Sequence, residues 1–228
     1  MSAGEEPASA RPVGVRAAQA AQTRQQLVLA AIELFSDRAY DEVTVADIAR
    51  SAGVAHGLLF HHFGTKRGIY LAALEETVAR MNASFAVPES GPAEQIRAAL
   101  VHRLRYLAEH RGLALRAVQA GRGEDPQAWD VFEGARWNEL ALVASLLGLD
   151  GDNPTLRMVG RTIAAVFDEM TVQWLGNDQQ PSVERVVDWI MAAAVGCLRS
   201  ASLLDPDLHL EPALEVLDAA SKAQGASR

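Results

Sequence analysis

The sequence predicts an all-α protein, and three observations lead to that fold class. Apolar residues recur at helical spacing through most of the 228-residue chain. Residues that favour helix starts, Thr or Asn as N-cap and Pro in the first turn, stand before successive periodic segments. No segment shows the apolar–polar alternation of a half-buried strand. The composition, 49% apolar and 22% charged, is typical of a globular protein.

The chain is predicted to begin with a flexible tail. Residues 1–22 are rich in Ala, Pro, Gly and Ser and contain little that could form a core. The first helix is predicted to begin at Thr23, where Gln26 completes a capping box. Arg11 and Arg16 in the tail could enter a DNA minor groove, although a solvated tail is the simpler interpretation.

Two short helices that meet at a glycine follow. Thr44 is the predicted N-cap of a helix over residues 44–51, and Gly53 suits the left-handed conformation that ends it. A second short helix is predicted over residues 55–62. Two short helices at a sharp turn, supported by a helix in front, form a helix-turn-helix, whose second helix lies in the DNA major groove.

Helical periodicity continues to the end of the chain. Thr65 caps a connecting helix over residues 66–82, and Pro88 and Pro92 mark a break between two regions. Further helices are predicted over residues 93–110, 112–121, 126–148, 154–176, 182–203 and 207–223, the last opened by Pro206. The predicted organisation is therefore a tail over 1–22, a helix-turn-helix domain over 23–82 and a larger helical domain over 83–228.

The helix over residues 182–203 is apolar on more than one face. Met191, Val195 and Cys197 lie off its main apolar stripe, and a helix that is apolar all round needs cover on both sides. A four-helix interface would supply that cover, with each of two subunits contributing its helices over residues 154–176 and 182–203. The sequence therefore predicts a homodimer.

Charge and composition exclude several classes of protein. The net charge of −8 means that a nucleic-acid site must be a local patch, and one cysteine rules out a disulfide framework. The N-terminus lacks the apolar region of a signal peptide, and the longest apolar run is too short to span a bilayer. We therefore expect a cytoplasmic protein without a membrane segment. Adjacent His61 and His62 point about 100° apart on a helix and cannot chelate together, so no metal site is expected.

The segment from Thr23 to Glu75 carries two further patterns. The first is Thr44-Val-Ala-Asp-Ile-Ala-Arg-Ser-Ala-Gly-Val, and the second is Gly57-Leu-Leu-Phe-His-His-Phe-Gly-Thr-Lys66. In both, the chain closely resembles the DNA-binding domain of the tetracycline-repressor (TetR) family. The resemblance implies an N-terminal helix-turn-helix on a larger helical domain that dimerises and binds a small-molecule effector. No Ser-His-Asp or Cys-His set stands out in the sequence, so no catalytic site and no cofactor are expected.

The resemblance assigns DNA contacts to individual side chains. Phosphate contacts fall on Thr44, His61, His62 and Lys66, and base-edge contacts fall on His56, Gly57 and Leu58. Phe60 takes the place of an aromatic that often donates a hydroxyl to phosphate, which phenylalanine lacks. Ala55 stands where a Ser or Thr usually caps the recognition helix.

Effector contacts are predicted on the middle helices of the second domain. The candidate aromatic residues are Phe132, Trp137, Phe167 and Trp174, and the candidate polar residues are His102, Arg136, Asp168 and Gln173.

The function predicted is a ligand-responsive repressor that binds a palindromic operator in double-stranded DNA as a homodimer. Two alternatives remain: an activator of the same architecture, and a small-molecule-binding or enzymatic helical protein with a degenerate helix-turn-helix. Effector binding in the second domain is expected to bias a two-state element, the helix over residues 66–82, and so to change the separation of the two recognition helices.

Overall fold

The computed structural model of the protein describes residues 13–82, 91–112, 115 and 126–225. All regular structure within these ranges is helical, which confirms the predicted all-α fold. The chain divides into two compact units, Met1–Ala73 and Leu74–Arg228. The division therefore falls within the connecting helix, whereas the sequence placed it at the end of that helix.

The first unit is built around three helices. They are α1 (Val13–Asp37), α2 (Val45–Ser51) and α3 (His56–Phe63), followed by α4 (Lys66–Asn82), which begins in this unit. A short 3-10 turn at Tyr40–Glu42 joins α1 to α2. α1 packs against α2 and α3, and Leu27, Phe35, Ile48 and Leu59 from these helices are fully buried.

The first helix begins ten residues earlier than the sequence predicted. Thr23 lies inside α1 and is not an N-cap, so residues 13–22 are helical and the prediction of a tail up to Gln22 is wrong for them. Residues 14–22 are exposed and include Arg16; Arg11 lies outside the described residues. This stretch contains four alanines, the strongest helix former, and so forms helix without an apolar stripe.

The second unit contains five helices in its described part, besides the end of α4. They are α5 (Pro92–Glu109), α6 (Pro126–Leu146), α7 (Pro154–Gly176), α8 (Val183–Ser200, with a 3-10 extension to Leu203) and α9 (Glu211–Gly225). Three of them open with Pro, as predicted, because its fixed φ suits the first helical position. The side chain of Asn153 caps α7, accepting hydrogen bonds from the backbone N–H groups of Thr155 (2.9 Å) and Leu156 (3.0 Å).

Two predicted helices differ from the structure or lie largely outside its described part. The last helix begins at Glu211 and not at residue 207, because Pro206 lies in a turn in which the Asp207 N–H donates to the Asp205 carboxylate at 3.2 Å. Pro212, in the first turn of α9, is the residue that opens it. The helix predicted over residues 112–121 lies mostly outside the described residues.

Helix α8 is at the centre of the second unit. It packs against α5, α7 and α9. Its residues Val186, Val187 and Ile190 join one core cluster with Leu104 and Trp174, while Val195 and Leu198 join a second cluster with α9. α8 therefore contributes to two separate core clusters at different points along its length. Some of its side chains also line a cavity.

Candidate functional site

The start of α2 is fixed by a reciprocal pair of hydrogen bonds. The backbone N–H of Asp47 donates to Thr44 Oγ1 at 3.1 Å, and the backbone N–H of Thr44 donates to the Asp47 carboxylate at 3.1 Å. The Thr44 hydroxyl also donates to the Asp47 carboxylate at 2.7 Å, and this bond, with the one from the Thr44 backbone N–H, holds the pKa of Asp47 below its usual value. The predicted cap is confirmed, and it sets where α2 starts.

The turn between α2 and α3 depends on Gly53. Its φ of +67° lies in the left-handed region, where a side chain would be strained. The N–H of Val54 donates to the Ala49 carbonyl at 3.0 Å and closes the turn. The turn therefore fixes the orientation of α3 relative to α2. Buried Leu59 packs α3 against α1 and α2.

The opposite side of α3 is open to solvent. His56, Gly57, Leu58, Phe60 and His61 are all exposed, Phe60 by 46% of its surface. Beyond the backbone of its own helix, a Cβ added at Gly57 would meet no described atom within 4 Å. Packing among the described residues therefore does not require glycine at this position. The side chain of Ala55 makes no cap, as the sequence indicated.

Lys66, which opens α4, lies against an aromatic group. Its Nζ is 4.2 Å from the centre of the Tyr40 ring, and Tyr40 in turn contacts Phe35 and Tyr70. Thr65 caps the helix by accepting a hydrogen bond from the Gly68 N–H at 3.0 Å. The ammonium group of Lys66 is thus held at the start of α4 by a rigid cluster within the first unit.

His62 differs from the other histidines of α3. It is half-buried, and burial, with smaller contributions from His61 and Arg24, lowers its pKa. The guanidinium of Arg24 lies 5.2 Å from the centre of the neighbouring Phe63 ring. His62 is therefore protonated less readily than an exposed histidine.

The second unit contains a cavity of about 180 Å³. Its walls come from α5, α6, α7, α8 and α9 and are mainly aliphatic. On α7 the lining runs from Leu156 to Asp168, a distance of about 18 Å at 1.5 Å per residue. The cavity is larger than an engineered apolar cavity of about 150 Å³ that binds benzene. It is therefore large enough for a small apolar ligand.

Charged side chains gather at one part of this cavity. Arg103 pairs with Glu139, and Arg136 pairs with Asp168. Both pairs are largely buried, with side chains between 11% and 16% exposed. Burial raises the pKa of Asp168, although Arg136 and neighbouring arginines act in the opposite direction. Glu133 extends the second pair into a network, because it pairs with Arg136 at 2.7 Å and with Arg161 of α7 at 3.2 Å.

Of the eight predicted effector residues, four line the cavity and four lie elsewhere. Those in the lining are Arg136, Trp137, Phe167 and Asp168. His102 and Gln173 are exposed, and the Nε2 atom of His102 lies 3.3 Å from the Arg80 carbonyl oxygen. Trp174 is buried, and its indole N–H donates to the Pro181 carbonyl at 2.7 Å. Phe132 is half-buried but lies outside the lining. The sequence did not predict Arg103 and Glu139, although Arg103 continues the apolar stripe formed by Ile96 and Leu100.

One face of α8 is apolar and exposed. Trp189 is 50% exposed, and Ala192 and Gly196 follow it at helical spacing. Met191, Val195 and Cys197, which the sequence suggested for this face, pack into or against the core of their own unit. By length and composition Val183–Leu203 could cross a membrane, and 33% of its apolar segment is buried within the protein. One such helix is weak evidence of a membrane span, because core helices of soluble proteins meet the same criteria.

Comparison with known proteins finds similarity to bacterial regulators. Residues 27–73 match the family model described as bacterial regulatory proteins of the tetR family. The repressor AcnR of Corynebacterium glutamicum is 34% identical over 84 residues, which are 37% of this chain and 44% of AcnR. The chain thus spans less than half the length of the AcnR repressors it matches. The activator FasR of Mycolicibacterium smegmatis is 27% identical over 192 residues, covering 79% of this chain and 84% of FasR.

Solved structures agree in fold. A tetR-family transcriptional regulator from Streptomyces coelicolor superposes with a TM-score of 0.72 at 22% identity, covering 87% of this chain and 89% of that one. FadR from Bacillus subtilis, solved with stearoyl-CoA, has a TM-score of 0.60 at 19% identity and covers 75% of this chain and 96% of its own. At these identities the likeness establishes the fold of both units.

Proposed function

We propose that this chain, whose residues 27–73 match the model of the tetR family of bacterial regulatory proteins, is a cytoplasmic transcriptional repressor that binds a palindromic operator as a homodimer and responds to a small-molecule effector. The observation that carries the proposal is the open side of α3. Gly57 has free space in front of it, and Leu58 and Phe60 are exposed next to it. This surface allows close approach by a partner, and apolar side chains at this position suit the methyl groups of thymine.

The DNA contacts follow from the same surface. We assign base contacts to His56, Gly57 and Leu58, and phosphate contacts to Thr44 and Lys66 with His61 and His62. Thr44 is exposed at the N-terminus of α2, where backbone N–H groups also favour phosphate. Phe60, which has no hydroxyl, is assigned an apolar contact.

Selection from a random duplex library tests DNA binding while the operator sequence is still unknown. The full chain should enrich an inverted repeat whose half-sites are related by two-fold symmetry, because a homodimer presents two copies of α3. A gel shift with DNA upstream of the gene should show the same sequence preference. Failure to enrich any sequence would support the alternative, a helical protein with a degenerate helix-turn-helix.

An activator is the second candidate. The match to the activator FasR covers 79% of this chain, whereas the match to the repressor AcnR covers 37%. Transcription in vitro from a promoter that carries the selected operator separates the two. A repressor lowers the transcript yield when it binds, and an activator raises it.

The homodimer is proposed to form through the exposed apolar face of α8. A charge at Ala192 lies outside the protomer core, so Ala192→Asp should leave the protomer folded and shift it from dimer to monomer in sedimentation at micromolar concentration. Ala98→Asp, at an exposed position of α5, is the matched control and should remain dimeric. An Ala192→Asp protein that stays dimeric would place the interface on another surface.

A further inference from the structure

The walls of the cavity in the second unit favour an aliphatic ligand over a flat aromatic one. Most of the lining consists of leucine, isoleucine, valine, alanine and methionine side chains. Its two aromatic rings are already covered by arginines. Arg103 lies 4.9 Å from the centre of the Phe167 ring, and Arg157 lies 4.2 Å from the centre of the Trp137 ring. A planar ligand would have to displace a guanidinium before it could stack on either ring.

The charges of the lining favour a ligand with one negative charge. Three arginines and two carboxylates line the cavity, namely Arg103, Arg136, Arg157, Glu139 and Asp168. The lining therefore carries a formal excess of one positive charge, and a single anionic group would balance it. A cation would add to that excess in a poorly solvated place, which is costly.

Arg103 is the residue best suited to receive that group. Its Nη1 donates to Glu139, while its Nε is buried and has no hydrogen-bond partner among the described residues. A buried donor without a partner costs stability until an acceptor reaches it. A carboxylate oxygen beside Arg103 could take up that donor after a small rearrangement of the Glu139 pair.

We propose that this cavity binds an unbranched aliphatic carboxylate. Its head group pairs with Arg103 and Arg136, and its chain extends towards Leu147, Leu149 and Leu217. This inference rests on the proposed function, since it names the chemical class of the effector. The same acyl chain occurs in free carboxylates and in thioesters. Only the free carboxylate carries its single negative charge directly at the end of the chain, where the thioester group is neutral, so the free carboxylate is the proposed ligand.

Calorimetric titration of the full chain tests the head group and the chain separately. Decanoate should bind at one molecule per chain, and more tightly than decanol, decylammonium, decanoyl-CoA or naphthoate. In the series from hexanoate to tetradecanoate, each added methylene should improve affinity about fourfold until the cavity is full, the effect of burying one methylene. Longer chains should then bring no further gain.

A pair of double variants tests the role of Arg103. Arg103→Met with Glu139→Gln removes both charges, so neither is left buried and unpaired. It should weaken decanoate binding about tenfold or more, the loss of one charge-assisted contact, and leave decanol binding unchanged. Arg105→Gln with Glu184→Gln removes an exposed ion pair of α5 and α8 outside the lining and should leave both affinities unchanged.

The head-group comparison decides the inference even if the Arg103 double variant fails to fold. Decanol, decylammonium or naphthoate binding the wild-type protein as tightly as decanoate overturns it, as does a lack of binding by every chain length. Binding of decanoyl-CoA that is tighter than that of decanoate would show that the site recognises the thioester, and it also overturns the inference. Operator binding is measured independently by gel shift. Decanoate binding without sequence-selective DNA binding refutes the proposed function alone, and operator binding with the wrong ligand preference refutes this inference alone.

Discussion

Replacing Gly57 by alanine should make the protein more stable and its DNA binding weaker. Gly57 lies in the first turn of α3, where a Cβ would meet no described atom within 4 Å beyond its own helix backbone. Glycine in a helix costs about 1 kcal/mol relative to alanine. Since the methyl group adds no clash, Gly57→Ala should stabilise the first unit by nearly that amount. For a unit of this size the Tm should rise by roughly 4–8 °C.

The effect of the same substitution on DNA binding should have the opposite sign. In the proposed complex the Gly57 backbone approaches the base edges, so a methyl group there reduces operator affinity. Gly57→Leu should abolish operator binding and leave the protein folded, because the space in front of it is solvent. Circular dichroism melting and a gel shift on the selected operator measure the two effects.

Gly134 provides the matched control. It lies in α6, is exposed, and a Cβ there would also meet no described atom within 4 Å beyond its own helix backbone. Gly134→Ala should gain similar helix stability in the second unit without any change in operator affinity. If Gly57→Leu binds the operator as tightly as the wild type, α3 does not read DNA and the assignment of His56, Gly57 and Leu58 fails.

Three further predictions concern the first unit. Lys66→Ala should weaken binding to all DNA sequences alike and reduce the slope of log K against log[salt] by about 0.9 per lost phosphate contact, measured by fluorescence anisotropy; an unchanged slope removes Lys66 from the interface. Gly68→Ala should destabilise the unit in urea unfolding, because its Cβ would lie 2.1 Å from the Phe63 carbonyl oxygen; a stability equal to that of the wild type would mean that α4 shifts without cost. The pKa of His62 is lowered on folding, so the unfolded chain binds its proton more readily and stability should fall as the pH drops below about 6.5. His62→Asn should make that fall smaller, and an identical pH profile for the variant would contradict this assignment.

The parts of the first unit that follow from the sequence are those fixed by local chemistry. The Thr44 cap and the positive φ of Gly53 each depend on residues within a few positions, and both are confirmed. The start of α1 was missed because an exposed alanine-rich turn has no apolar stripe to reveal it. The prediction relied on periodicity, whereas intrinsic helix propensity decides the conformation there.

The cavity could be predicted only in part, because its lining depends on how five helices pack. Arg136 and Asp168 were found from their register with nearby aromatic residues, but the same reasoning selected Trp174, which packs into the core instead. Arg103 had a visible signal, a charge in the stripe of Ile96 and Leu100. Its partner Glu139 is 36 positions away in sequence, and only the tertiary fold of the second unit brings the two together.

The composition of α3 has a consequence for the protein in a cell crowded with DNA. None of its eight residues is lysine, arginine, aspartate or glutamate. The sequence-independent affinity of a protein for DNA grows with the number of phosphates its cations neutralise, and this helix adds little to it. A bacterial genome offers roughly a million or more competing sites. A regulator that binds random sequence weakly loses few copies to those sites, so a small number of molecules is enough to keep one operator occupied.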